Sequence, residues 1–304
     1  MELFKNARFD FLGRKWPFIA ASLVLMLAGL VSLIVRGGPR YGVEFRGGAV
    51  MQVRWPDAPP IEHIRSTLAA RLSGVSVVAA HDLAGGDEVL ISTPVQDARD
   101  LSTLRETIHS ALARYDSEPH WQIRSFEVIG PQIGADLRRQ AMAATVCASA
   151  GMLAYLAWRF EWVYGVAAVV AVIHDTFITV GLFSLANKEI TLTVVAALLT
   201  LIGYSMNDTI VVFDRIRENR NLTPREPLAA IVNRSINQTL SRTVLTSGLT
   251  LLAALSLLAL GGPVLHGFSF ALVAGIVVGT YSSIFIASPI LVAWEGRSRR
   301  GGAR

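Results

Sequence analysis

LLTLIGYSMNDTIVVFDRIREN, residues 198–219, is the stretch from which the rest of the chain is read. It begins as an uncharged apolar helix long enough to enter a bilayer. Tyr204, Ser205, Asn207, Asp208 and Thr209 follow, and the helix leaves through Asp214, Arg215, Arg217 and Glu218. A carboxylate at the centre of a bilayer costs about 2.5–3.5 kcal/mol on insertion scales, so such a group needs a partner or a task. An upstream apolar stretch, AVIHDTFITVG, holds a second acid, Asp175, directly after His174. Two acids on adjacent membrane helices set the problem.

Composition agrees with a membrane protein. The 304 residues are 52% hydrophobic and 17% charged, and the mean hydropathy is +0.46. An ordinary soluble domain is more charged and less apolar. The net charge of +5 matters less than its placement. Segment 36–139 is close to neutral, with twelve Arg against thirteen Asp and Glu. The other sixteen Lys and Arg lie almost entirely beside apolar spans. That pattern orients a membrane protein, whereas nucleic-acid binding calls for a basic face on a folded domain. Cys147 is the only cysteine, which excludes a disulfide framework. His63, His81, His109 and His120 are far apart and lack metal-ligand spacing, so neither a metal nor a cofactor is expected.

In chain order, Lys5, Arg8, Arg14 and Lys15 precede an apolar run from Trp16 to Val35. The run is longer than a signal-peptide core and lacks a small-residue cleavage site, so it reads as an uncleaved first span. Residues 1–35 thus form a basic end and one helix, and 36–138 form a water-facing domain. There YGVEFRGGAVMQVRWP is predicted to begin extended and to turn at Gly47-Gly48. Ile61, Ile64, Leu68 and Leu72 share one helical face. Val75–His81 and Asp87–Thr93 read as strands around a Gly85-Gly86 turn. Leu101, Leu104, Ile108, Leu112 and Tyr115 mark a second helix, and His120–Val128 is extended again. The order β-α-β-β-α-β is that of a ferredoxin-like α+β domain.

Residues 139–294 carry the remaining spans. Pro131 opens a helix that enters the second span, 140–158, and Arg159-Phe160-Glu161 turns between Trp158 and Trp162. Spans at 162–186 and 190–213 are joined by Asn187-Lys188-Glu189. A basic loop is predicted at 214–242, with 228–240 as an amphipathic helix on the membrane or against the other helices. Spans at 243–260 and 265–294 follow, then a basic tail, 295–304, with Arg297, Arg299, Arg300 and Arg304. Ala271, Gly275 and Gly279 recur every four residues, the spacing of close helix packing. Six spans put both termini on one side. With the amino end inside, fifteen Lys and Arg are cytoplasmic, and Lys188 alone lies in the short external loops. The domain at 36–138 is then periplasmic.

Asp175 lies about thirteen residues into its span, roughly 20 Å deep, and Asp208 roughly 9 Å deep. A direct hydrogen bond between them is not expected, and a relay needs water or intermediate groups such as Ser205 and Tyr204. Two readings of Asp175 stand: an ion-coupling acid, or structural glue paired with His174, Thr176 or a partner subunit. Asp208 reads as a relay member, a solvated interfacial acid or a packing contact. His174 reads as a packing residue or a relay member. Asp214 and Arg215 are boundary charges, explained by a salt bridge or solvation. No nucleophile–base constellation points to an enzyme.

These segments resemble the SecF family, the smaller subunit of the SecDF protein-export complex. The likeness rests on YGVEFRGG, VIGPQIGADLRRQA, HDTFITVGLFSL, AALLTLIGYSMNDTIVVFDRIREN, NRSINQTLSRTVLTS and GTYSSIFIASP. Glu44 stands where the family's phrase has Asp and keeps the charge. The resemblance implies an α-helical polytopic membrane protein, half of an RND-like transporter fold, with SecD supplying the other half. It implies a bacterial inner-membrane protein working with the Sec translocon and its SecA motor on a translocating preprotein, driven by the proton-motive force. Asp175 is then the candidate ion-coupling acid, with Asn207 and Asp208 in support at the SecD interface. The rivals are half of an RND-like small-molecule or lipid exporter, and an uncoupled anchor for the external domain.

Overall fold

The computed structural model describes residues 8–55, 59–72, 74–81, 87–94, 101–113, 121–159 and 162–301. The expected Gly85-Gly86 turn, Tyr115, His120, the Phe160-Glu161 turn, Lys5 and Arg304 lie outside the described residues.

Alternating apolar residues build the α+β domain. Its elements are β1 (Gly48–Trp55), α3 (Ile61–Ala69), β2 (Ser76–His81), β3 (Asp87–Thr93), α4 (Leu101–Ala113) and β4 (Gln122–Ile129). The sheet order is β2-β3-β1-β4 with every neighbour antiparallel, the split βαβ topology predicted. Met51, Val53, Val89 and Ile91 alternate onto one face, where Leu68, Ile108 and Leu112 of the helices cover them. Opposite Gln52 and Val53 the register shifts by one residue, with Arg124 extra on β4, so the bulge bends β4.

One local expectation fails. Val43–Arg46 is not extended but forms a helical turn, α2, between Gly42 and Gly47. Gly47 has φ 78°, which suits glycine, and lets the chain leave α2 straight into β1. The cause is non-local: Phe45 is buried against the start of α5 (Pro131–Arg159). A Cβ on Gly134 of α5 would sit 2.9 Å from the Gly47 amide and 3.1 Å from the Phe45 carbonyl. Gly134 therefore lets α5 lie directly on α2.

The membrane part contains α1 (Lys15–Val35), α5, α6 (Trp162–Leu185), α7 (Leu192–Leu222), α8 (Leu228–Leu260) and α9 (Gly262–Ser282). A five-residue π-helical turn, Ser283–Ala287, joins α9 to α10 (Ser288–Gly301). Five stretches among the described residues are long and apolar enough to cross a membrane: α1, α6, α7, α8 and Val264–Trp294. The stretch expected as the second of six spans, 140–158, lies in the 29-residue α5, which is not among these five, although its Met142, Val146 and Leu153 are exposed.

Segment 214–242 is not a loop. Helix α7 continues past Asp214 to Leu222, and α8 already starts at Leu228. The stripe at 228–240 is the first part of α8, with Ile231, Val232 and Ile236 buried against the bundle. Polar contacts hold this hairpin together. Asn219 Nδ2 donates to Ser235 Oγ and to Gln238 Oε1, both at 2.8 Å, and Arg234 reaches Glu226 at 2.7 Å.

Candidate functional site

Asp175 and His174 sit on α6, where both side chains are buried. Asp175 Oδ1 lies 2.8 Å from His174 Nδ1. On the other oxygen, Oδ2, two hydroxyls converge: Ser205 of α7 donates at 2.5 Å and Ser282 of α9 at 2.8 Å. Three helices therefore meet on one carboxyl group. Small residues on α9 make the approach possible. A Cβ on Gly279 would stand 3.0 Å from the Ser205 Cβ, and one on Gly275 would run into the Leu201 side chain. The four-residue spacing of small residues is accordingly the α7–α9 contact itself.

Hydroxyls suit an acid that changes protonation state, because each can donate to a carboxylate or turn to accept from a carboxylic acid. A cavity of about 10 Å³ adjoins Asp175, edged by Val172, Thr176, Leu198, Ile202 and Gly275. That is near the lower limit for a single water molecule. His174 Nε2 is buried with no hydrogen-bond partner among the described residues, and its ring meets Tyr281 edge-on at 6.1 Å.

Asp208 is buried at 3% exposure, which removes the reading of a solvated interfacial acid. Its Oδ2 accepts from Ser247 of α8 at 2.9 Å. Thr209, next in sequence, bonds Ser283 Oγ at 2.9 Å. The two acids do not touch, but both are tied to one polar face of α7 made by Ser205, Asp208 and Thr209. Tyr204 does not join this face: its hydroxyl is enclosed without a partner among the described residues. Asn207 points away, onto the exposed side of α7. At the boundary, Asp214 pairs with Arg159 at 3.3 Å and Arg215 with Glu218 at 2.6 Å. Sequence reasoning missed Ser282, Ser283 and Ser247, although the hydroxyl-rich TYSS and SRTVLTS phrases carry them.

A second seam joins the α+β domain to the bundle. Tyr41 and Ile190 form a parallel bridge, with Gly42 donating to the Ile190 carbonyl at 2.9 Å. Glu44 lies there, and burial pushes its carboxyl above the usual range, aided by the charges of Glu189 and Glu127 and opposed by its own backbone amide. A carboxyl raised on folding binds its proton more tightly in the folded chain. Stability therefore falls as pH rises from about 4.5 towards the raised value and stays lower above it. E44Q is expected to be more stable than the native chain near neutral pH, with the gap closing below the unfolded carboxyl range. Thermal unfolding at the two pH values checks this, and identical curves near neutrality would count against it.

Residues 107–297 match the family described as protein export membrane protein SecD/SecF, C-terminal. The protein translocase subunit SecF of Calditerrivibrio nitroreducens is 43% identical over 304 residues, covering 99% of each chain. The chain belongs to the SecF family. Another SecF relative, from Koribacter versatilis, is 41% identical and matches 100% of this chain and 96% of its own length. The crystal structure of SecDF from Thermus thermophilus superposes with a TM-score of 0.81 at 40% identity. That match covers 97% of this SecF-family chain and 40% of SecDF, so the chain spans about two fifths of SecDF's length. A super-membrane-facing form of SecDF gives a TM-score of 0.72. The expected fold class therefore holds: an RND-like membrane protein carrying a ferredoxin-like domain. As a protein translocase subunit, it is not an enzyme.

Proposed function

We propose that this SecF-family chain assembles with SecD and uses the proton-motive force to assist Sec-dependent export of preproteins. The observation that carries the reading is Asp175: a buried acid held by hydroxyls from two other helices, beside a cavity. One proton crossing 100 mV releases about 2.3 kcal/mol, enough to shift the packing of helices whose contacts depend on the charge of that carboxyl. Asp208 and His174 extend the coupling site. Asn207, on the exposed side of α7, faces SecD. In this reading both termini lie in the bacterial cytoplasm, which the basic residues beside the spans favour, and the α+β domain stands in the periplasm. There it acts on preprotein delivered through the translocon by SecA. Movement reaches that domain through α5 resting on α2 and through the Tyr41–Ile190 bridge.

An exporter of small molecules or lipids needs an enclosed apolar chamber. Among the described residues the α+β domain offers a hollow edged by Ile61, Val77 and Val78 beside Glu62, His63 and Arg65, and it is open rather than enclosed, which suits that task poorly. In inside-out membrane vesicles bearing the complex, D175N at normal protein level is expected to abolish the proton-gradient-dependent part of preprotein export. Survival of that part would sink the reading of Asp175.

A further inference from the structure

The last membrane span is not a continuous α-helix. At Ser283–Ala287 it holds one π turn, an extra residue wound into the helix. Such turns are rare and concentrate at functional positions. The local cause is Pro289, which has no N–H for the Phe285 carbonyl and whose ring crowds it. The wider turn relieves the crowding, and Ser288 Oγ closes it by donating to the Ser283 carbonyl at 2.8 Å.

The turn lies between contacts to different helices. Ser282 and Ser283 are neighbours in sequence, yet both are fully buried and bonded to different helices. Ser282 binds Asp175 of α6, and Ser283 binds Thr209 of α7. On the other side of the turn, Phe285 stacks on Phe18 of α1 with ring centres 3.7 Å apart and meets Phe11 edge-on at 6.0 Å. Phe11 is in turn fixed to α8, its amide donating to Asn233 Oδ1 at 2.9 Å. A line of contacts thus runs from the Asp175 carboxyl through the π turn to the amino-terminal arm.

We infer that the π turn at 283–287 is a register switch, held in place by the Asp175–Ser282 hydrogen bond. The inference rests on the reading of Asp175 as an acid that gains and loses a proton. A hydrogen bond to an ionised group is stronger than one to a neutral group. Arrival of a proton on Asp175 therefore weakens the tie that holds Ser282. Removing the extra residue from the turn rotates one flank against the other by about 100° and shifts it by about 1.5 Å. Ser282 then leaves Asp175, or Phe285 leaves Phe18. Around Asp175 the other titratable groups are His174 on α6, Tyr281 on α9, and Tyr204 and Asp208 on α7. Helix α1 presents the uncharged Ser22, bonded to the Tyr281 hydroxyl at 2.9 Å.

The test is thiol cross-linking in membranes holding the full complex, with C147S as background. The reporting pair is F18C/F285C with a short bifunctional reagent. The control pair is S32C/S184C, whose native hydroxyls lie 2.7 Å apart between α1 and α6. D175N, which mimics the proton-loaded acid, is expected to lower the reporting rate about fivefold while leaving the control unchanged. Deletion of Ile286, which resets the register, is expected to lower it equally whether residue 175 is Asp or Asn. P289A, which restores the missing N–H, takes its place if the deletion does not accumulate. A reporting rate unchanged by D175N overturns the switch. If export is lost in D175N while that rate stays constant, the switch alone fails. If proton-driven export survives D175N, the underlying reading of Asp175 fails.

Discussion

Replacing Gly181 by leucine is expected to unseat α1 from α6. Helix α1 is the least embedded of the candidate spans, with Ser22 and Gly29 as its buried residues. Its contact with α6 is backbone on backbone: a Cβ built on Gly29 lies 2.7 Å from the Gly181 Cα, and one on Gly181 lies 3.0 Å from the Gly29 Cα. Carbon atoms settle at about 3.5–4.0 Å, and neither backbone can rotate away as a side chain can. In lipid no hydrophobic drive pushes the helices back together, so close packing and hydroxyl bonds carry the association. Overpacking costs about 1–3 kcal/mol, and G181L falls at the upper end because both sides of the clash are main chain. The measurement is the disulfide yield of S32C/S184C in a C147S background. G181L is expected to lower it about tenfold, as a penalty of about 1.4 kcal/mol already would, with G181A between the two. An undiminished yield in G181L would show that α1 is held elsewhere, at Phe18 or Ser22.

How far the sequence revealed this architecture depends on whether the cause of each element is local. Strands β2 and β3 were legible as short apolar runs, Val77-Val78 and Val89-Leu90-Ile91, bounded by polar residues and rich in the β-branched side chains that strands favour. The turn at Val43–Arg46 was not, because its cause is Gly134, about ninety residues away, opening a seat for Phe45. The charges at Asp214, Arg215, Arg217 and Glu218 signal departure from the apolar zone. They do not signal the end of a helix, since Arg215 and Glu218 pair one turn apart and favour its continuation. In the site, the acids were visible because a carboxylate in an apolar run stands out. Their partners were hidden, since a serine in a membrane helix most often bonds its own backbone, as Ser269 does with the Leu265 carbonyl. Only the crossing of α6, α7 and α9 separates Ser205 and Ser282 from the rest. The π turn had one sequence signal, Pro289 within a span.

Removing both hydroxyls from Asp175, in S205A/S282A, is expected to destabilise the protein by about 2–4 kcal/mol, the range for a buried charged group stripped of donors. The carboxylate would keep His174 at 2.8 Å on one oxygen and lose every donor on the other. Adding D175N to that pair removes the charge and with it most of the penalty, so the triple variant is expected to be the more stable of the two. D175N alone has a milder effect, because the serine hydroxyls can still donate to the amide oxygen. Thermal unfolding of the four proteins in one detergent gives the interaction energy directly, provided that unfolding is reversible. A triple variant destabilised by much less than the sum of its parts means that the resting site holds an ionised acid waiting for a proton. Simple additivity means that Asp175 is already neutral at rest, and the cycle of charge that moves the helices would then have to start from the protonated state.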